Sequence, residues 1–312
     1  MKKLLAVCLL TVLSLSLFGC SQQKSAQVPA KIITIGVMPD VESIPFLIAE
    51  KNGYFNKEGV QVKIEHFNSA KDRDSALQSG QLDGVITDVL AVVFANEGGI
   101  NLRICAKNDG NIELMAGKTS GIKSAADLSG KSIGLSSNTI MEYTTDKMLE
   151  AAGLKPDEVK KIAIPPLPTR LEMLQGGKVD AAILPEPLAG LAVKNGAQVL
   201  ASTDAMGNKA GAIAFTAESL SANPAEIKAV FRAYNDAVEY LAQEPPASYI
   251  DFIIQAQSFP AEIKDSIQLP QYTKAALPSE AVFNDVVKWL QDKNLIKGSY
   301  KYQALVDEQV LR

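Results

Sequence analysis

Acidic and hydroxyl side chains stand at the ends of four apolar runs in this chain. Asp40 and Ser43 follow KIITIGVM, and Thr87 and Asp88 close LDGVIT. Ser136, Ser137, Asn138 and Thr139 follow KSIGL, with Glu142 and Tyr143 one helical turn further on; Glu186 stands between two prolines after VDAAIL. Carboxylates grouped in this way can hold amino or other donor groups. Ser136 to Thr139 open a helical pattern whose first backbone N–H groups are unpaired and carry partial positive charge, so they also suit an anion. Each residue has a local alternative, because Asp, Ser, Thr and Asn cap helices and a first-turn Glu suits the helix dipole. Glu186 is set apart by its prolines, which fix the backbone around it. These loops contain no Lys or Arg, so the rim they form is negative. Arg73 and Arg170 fall inside helical patterns and are expected on exposed faces.

Covalent chemistry finds little support. His66 is the only histidine, which excludes a multi-His metal site, and it lies in the strand-like VKIEHF. Of three cysteines, Cys8 and Cys20 belong to the N-terminal segment, and Cys105 sits in the apolar LRICAK as a small buried hydrophobe. No internal disulfide, catalytic residue, cofactor or metal is expected. Net charge is −4 with one Trp, and no basic stripe occurs, so nucleic acid is not an expected partner.

The elements that must position these residues alternate. KIITIGVM, VQVKIEHF, LDGVIT and LRICAK are strands, separated by helices ending at Gly53, Gly80 and Gly98-Gly99. The scheme then restarts: KSIGL echoes ITIGV, and LQGGKVDAAILPEP (174–187) echoes LQSGQLDGVITD (77–88), with Gly177 over Gly80 and Asp180 over Asp83. A period near one hundred residues gives two copies of an α/β unit rather than a solenoid. IELMAG and GAIAFT are expected to cross between the copies, followed by helices over 224–242, 247–257 and 279–293. The fold class is α/β with two lobes, mixed and mostly parallel sheets flanked by helices, and two hinge crossings. Lobe 1 is expected over 31–112 plus 215–312, and lobe 2 over 117–210. Ligands of such sheets bind beyond the carboxyl ends of the strands, which places all four loops in the cleft between lobes.

The N-terminus reads separately. Lys2 and Lys3 precede a short apolar run to Phe18, and Leu17-Phe18-Gly19-Cys20 resembles a bacterial lipobox. Residues 1–19 are expected to be a lipoprotein signal peptide. Cys20 would be the lipidated residue, and 20–30 a polar tether to the membrane.

In order, IGVMPDVESIPFLIAEKNGYFNKEGVQVKI, LQSGQLDGVITD, GIKSAADLSGKSIGL and LQGGKVDAAILPEP resemble the periplasmic-type solute-binding proteins of ABC importers. The narrower likeness is to their nitrate/sulfonate/taurine and thiamine-precursor (NMT1/THI5-like) branch. The resemblance implies a type II two-lobed fold and a small-molecule ligand captured by hinge closure. Its partners would be an ABC permease and its ATPase. It also implies a monomer, anchored by lipid and facing outside the cytoplasm. The matching ligand loops are Asp40 to Ser43, Thr87-Asp88, Ser136 to Thr139 and Glu186-Pro187. A nitrogen-containing organic molecule, such as a pyrimidine vitamin precursor, fits the acids; a sulfonate or nitrate-type anion is the other ligand class. An enzyme on the same fold, of menaquinone-pathway or pyrimidine-synthase type, is the alternative function.

Overall fold

Alternation of apolar residues makes Ile32–Val37 the first strand, β1, with Ile33, Ile35 and Val37 fully buried. The computed structural model describes residues 31–312, so the signal peptide, Cys20 and the tether lie outside the described residues. After β1 come helix α1 (Ile44–Lys51), β2 (Gln61–His66), α2 (Ala70–Gln78), β3 (Gly84–Asp88), α3 (Val89–Glu97) and β4 (Leu102–Lys107). The chain continues through β5 (Ile112–Ala116), β6 (Ser132–Leu135), α4 (Ile140–Ala151), β7 (Lys160–Ala163), α5 (Leu167–Gln175), β8 (Ala181–Pro185), α6 (Leu188–Lys194) and β9 (Gln198–Ser202). It returns by β10 (Gly211–Thr216) to α7 (Pro224–Gln243), α8 (Ile250–Ala256) and α9 (Glu280–Asp292).

The strands form two five-stranded sheets of identical design, ordered β2-β1-β3-β10-β4 and β7-β6-β8-β5-β9. In the first, β1 runs parallel to β2 and β3, while β10 is antiparallel to β3 and β4. In the second, β6 runs parallel to β7 and β8, while β5 is antiparallel to β8 and β9. Strands inside a sheet that is covered on both faces are buried along their whole length, whether parallel or antiparallel, and β3, β5 and β8 are buried at every position. IELMAG and GAIAFT, expected to be crossings, are therefore β5 and β10, strands inside the sheets. Both are almost wholly apolar, with Glu113 the one charged residue, as befits an internal strand. The chain passes from one sheet to the other over 108–111 and 203–210, just before each antiparallel strand. The returning helices lie with the first sheet: Tyr234 of α7 packs on Phe46 of α1 with ring centroids 5.2 Å apart. Phe283, Val286 and Leu290 of α9 share a core with Val89, Leu90 and Val93 of α3.

The repeat extends to single hydrogen bonds. Asp83 Oδ2 accepts from Thr34 N at 2.9 Å, and Asp180 Oδ2 accepts from Ser132 N at 2.8 Å, so each Asp clips its strand start to the neighbouring strand. Gly80 and Gly177, at φ +76° and +62°, make the left-handed turn that lets the chain leave α2 and α5 for those strands. Arg73 and Arg170 correspond as well, and they correct the expectation of exposed side chains: they are 3% and 0% exposed. Each lies four residues before a buried leucine, Leu77 or Leu174, which puts it on the helix face turned to the sheet. Nη1 of each donates at 2.9 Å to a strand carbonyl, Ile86 O and Ile183 O respectively. The arginine stems cross over Gly36 of β1 and Gly134 of β6, where an added Cβ would come within 3.3 and 3.4 Å of their Cγ atoms.

Candidate functional site

A small cavity lies where the carboxyl ends of the parallel strands of both sheets meet. The first sheet lines it with Met38, Asp40, Glu42, Thr87 and Asp88, and α2 adds Arg73. The second contributes Ile112, Ser136, Thr139, Ile140, Met141 and Pro185. Its volume is about 70 Å³, against several hundred for a typical small-molecule site, so the cleft stands nearly shut in this arrangement.

Sequence chemistry explains each first-sheet position. Asp40 caps the short 3-10 turn Val41–Ser43, its Oδ1 accepting from the amides of Glu42 and Ser43 at 3.1 and 3.3 Å. Asp88 caps α3, accepting from Ala91 N at 2.8 Å. Capping and cavity lining coexist, because each cap uses one carboxylate oxygen. Thr87 is buried, and its Oγ1 has no hydrogen-bond partner among the described residues. Glu42 is a site residue that the sequence reading did not single out. Its Oε2 accepts from Asn108 Nδ2 at 2.8 Å, and Gly110 leaves room for its Oε1, which would lie 1.9 Å from an added Cβ. Asn108 and Gly110 belong to the first connection between sheets, so the Asp40–Ser43 loop rests directly on it.

Three carboxyls thus share one guanidinium. Burial pushes Asp40 up to about 7 and Asp88 up to about 6, while the backbone amides they cap and the nearby Arg73 hold them lower. Burial also raises Glu42, reinforced by repulsion from Asp40 and Asp88 and opposed by Arg73. Arg73 itself places Nε 2.9 Å and Nη2 2.8 Å from Asp74 Oδ1. The expected absence of basic groups from the cleft is therefore corrected: Arg73 reaches the wall from α2, one element away from the loops in which a charge was sought. The acids still outnumber it.

On the second sheet, Ser136 and Thr139 line the cavity, while Ser137 and Asn138 are exposed. Thr139 caps α4 by accepting from Met141 N at 3.2 Å. Ser136 Oγ accepts from Arg170 Nη2 and donates to Pro165 O at 3.4 Å. Asn138 is left-handed at φ 57°, and its amide donates to Glu142 Oε2 at 2.7 Å. Besides the exposed Ser137 and Asn138, Ser43 and Glu142 stand apart from the cavity. Ser43 is fully buried, its hydroxyl donating to Asp40 O at 3.1 Å and accepting from Gln257 Nε2. Glu142 turns away into an ion network with Lys161 and Lys293, at 3.0 and 2.6 Å.

Glu186 also lies outside the lining. It is 1% exposed, with neither oxygen in a well-formed hydrogen bond among the described residues. Burial and the charge of Glu113 push it up to about 7, opposed by the amides of Gly190 and Gln268. Its Oε2 packs on Gly190, where an added Cβ would also meet Ser266 O at 2.4 Å. The side chain thus faces α6 and the segment after α8. His66 Nδ1 lies 3.2 Å from Gln257 Oε1, and Cys105 is 0% exposed with its thiol pushed up by burial. Neither lines the cavity. Among the described residues no helix is long and apolar enough to cross a membrane.

Two mixed α/β units with strand tips facing a shared cleft define the periplasmic-binding-protein fold. Solved structures of that fold superpose on nearly the whole chain. The periplasmic nitrate-binding protein NrtA of Synechocystis PCC 6803 gives a TM-score of 0.76 at 15% identity, covering 91% of this chain and 88% of its own. The periplasmic aliphatic sulphonate binding protein SsuA of Escherichia coli gives 0.74 at 18% identity, covering 89% and 92%. A Brucella abortus protein named as a binding protein is 27% identical over 216 residues, which span 64% of this chain and 64% of that relative. The chain belongs to the NMT1/THI5 like family, whose model matches residues 40–248.

Proposed function

We propose that this protein is the extracytoplasmic solute-binding component of an ABC importer. It captures a small polar organic molecule between its two sheets and delivers it to a permease and its ATPase. The observation that carries this reading is the cavity itself. Polar side chains from both sheets converge there on one small space, and the bonds they make to the protein leave further polar capacity in Asp40, Asp88 and Thr87. Contacts from both sides favour the arrangement in which the sides are together, so ligand shifts the population toward closure.

The charge favours a ligand rich in donors. Asp40, Glu42 and Asp88 surround Arg73, and a protonated or amino-bearing nitrogen compound, such as a pyrimidine vitamin precursor, would satisfy the carboxylates and stabilise their ionised form. A sulfonate or nitrate-type anion is the second reading, supported by Arg73 and by the start of α4. An enzyme on this fold would need a reactive group at the cavity, and its lining contains neither His nor Cys. The lipid anchor at Cys20, the tether over 20–30, a monomeric state and a position on the outer side of the membrane complete the proposal.

A thermal-shift screen of aminopyrimidines, taurine, longer alkanesulfonates and nitrate is the direct test. Binding raises the melting temperature with ligand concentration, and the reading predicts a shift from a nitrogen-bearing organic without turnover. A shift from nitrate or a simple sulfonate alone would overturn the ligand class. Product formation would overturn the binding-only function.

A further inference from the structure

Away from the cleft, an open groove of about 550 Å³ lies between α4 and α9. Its polar groups are already paired across it. Trp289 Nε1 donates to Asp146 Oδ2 at 3.1 Å, and Tyr143 Oη donates to Asp285 Oδ2 at 2.7 Å. Lys147 Nζ lies 3.0 Å from Asp285 Oδ1. These bonds join a helix packed on the first sheet's α3 to a helix that covers the second sheet. Lys293, just past α9, reaches furthest: its Nζ lies 2.6 Å from Glu142 Oε1 and 3.4 Å from Asp146 Oδ2, and it stands 4.6 Å from the centre of the Trp289 ring.

Glu142 connects this network to the cleft. One oxygen receives Lys293 and Lys161; the other receives the backbone amide of Asn138 at 2.7 Å. Asn138 is the left-handed residue in the turn that carries Ser136 and Thr139 to the cavity wall. That conformation is sparsely populated for a non-glycine residue and persists where its surroundings hold it. Burial alone would raise the Glu142 carboxyl, but the Asn138 amide and the two ammonium groups outweigh it and hold it down at about 2. The carboxylate stays charged and stays in place.

We propose that Lys293 is a positioning residue of the cleft. Reaching from the first sheet's side, it fixes Glu142 and through it the Ser136–Thr139 turn in the shape that lines the cavity. Lys161 comes from β7, within the second sheet, and supports Glu142 whatever the two sides do. Lys293 supports it only from across the cleft. The turn is therefore fully ordered when the sides are together, and ligand binding and the Lys293–Glu142 bond reinforce each other. The second half of this statement rests on the ligand cleft proposed above; the first half does not.

Amide hydrogen exchange on the purified chain without ligand tests it. Lys293→Met should speed exchange at Asn138 and Met141, the hydrogen-bonded amides of the turn, roughly tenfold, the loss expected when one charged hydrogen bond goes. Lys293→Arg, which keeps a donor in reach, should restore most of the protection. Lys288→Met, on the same helix but outside the network around Glu142, should leave those amides unchanged. Unchanged exchange at Asn138 in Lys293→Met, or equal loosening by Lys288→Met, would overturn the proposal. Where an aminopyrimidine or taurine stabilises the wild-type protein, Lys293→Met should raise its dissociation rate several-fold, with a smaller change in association. If no compound binds, the cleft reading fails, while the exchange data still decide the role of Lys293.

Discussion

Asp88→Asn separates the capping role of this residue from its charge. Asn is as good an N-cap as Asp, so the bond from Ala91 N survives while the titrating group is lost. The wild-type carboxyl is pushed by burial from 3.8 up to about 6. The folded protein therefore holds more protons here than the unfolded chain between those values, and stability falls as pH rises through that window. Two units correspond to about 3 kcal/mol at most. For roughly 280 ordered residues, at about 2.1 cal/mol/K each, that is a rise in melting temperature of about 5 °C for the variant. The gain should appear at pH 7.5 and shrink to a small remainder near pH 4, where the folded carboxyl is protonated and the unfolded one about half so. Scanning calorimetry of the ligand-free protein across pH 4–8 is the assay. Asp40, raised to about 7, should keep part of the slope in the variant, so the profile flattens without becoming level. A variant that melts at or below wild type at pH 7.5, or that keeps the full slope, would refute the picture of a buried acid cluster held short of counter-charge.

The remaining expectations are simpler. Arg170→Met should destabilise by about 3 kcal/mol, because Ile164 O and Ile183 O each lose a buried donor, and Arg170→Lys should recover little; urea unfolding reads both. Gly84→Ala should cost at least 2–3 kcal/mol by the same measurement, since its Cβ would lie 2.5 Å from the Phe215 ring of β10. Cys20→Ser should move the protein from the membrane fraction to the soluble one, and unchanged retention would remove the lipid anchor from the proposal.

Much of the fold was legible because its signals are local. Alternation, glycine ends and the doubled LQ-x-G-x-x-D phrase mark strands, helices and the internal repeat without any tertiary knowledge. β5 and β10 were misread because a fully buried strand carries no period, and their position directly after a chain crossing made them look like the crossing. The cavity lining was legible only in part. Asp40, Thr87, Asp88, Ser136 and Thr139, which line it, follow from a topological rule about strand tips. Glu142 and Glu186 follow the same rule yet point elsewhere, since side-chain direction depends on what lies behind the loop: Lys293 for one, the Gly190–Ser266 contact for the other. Arg73 was missed because charge was sought in the loops alone. Its spacing from Leu77, matched by Arg170 and Leu174, was a usable signal of an inward-facing arginine, and the repeat stated it twice.

The placement of β10 between β3 and β4 has a consequence for how the chain can assemble as it emerges. Every strand of the second sheet comes from one unbroken stretch, 112–202, so that unit can close on itself as soon as it is made. The first sheet cannot. Among the strands β4 pairs with β10 alone, its further bridge being from Ile104 to Val306 near the C-terminus, and β10 arrives about a hundred residues later, after the whole second unit. The earlier-born half is thus the later one to finish, and it must hold β3 and β4 apart with their edges unsatisfied until the chain comes back. Long-range pairing of this kind slows folding. The middle of the molecule is its natural nucleus, and its two ends are joined last.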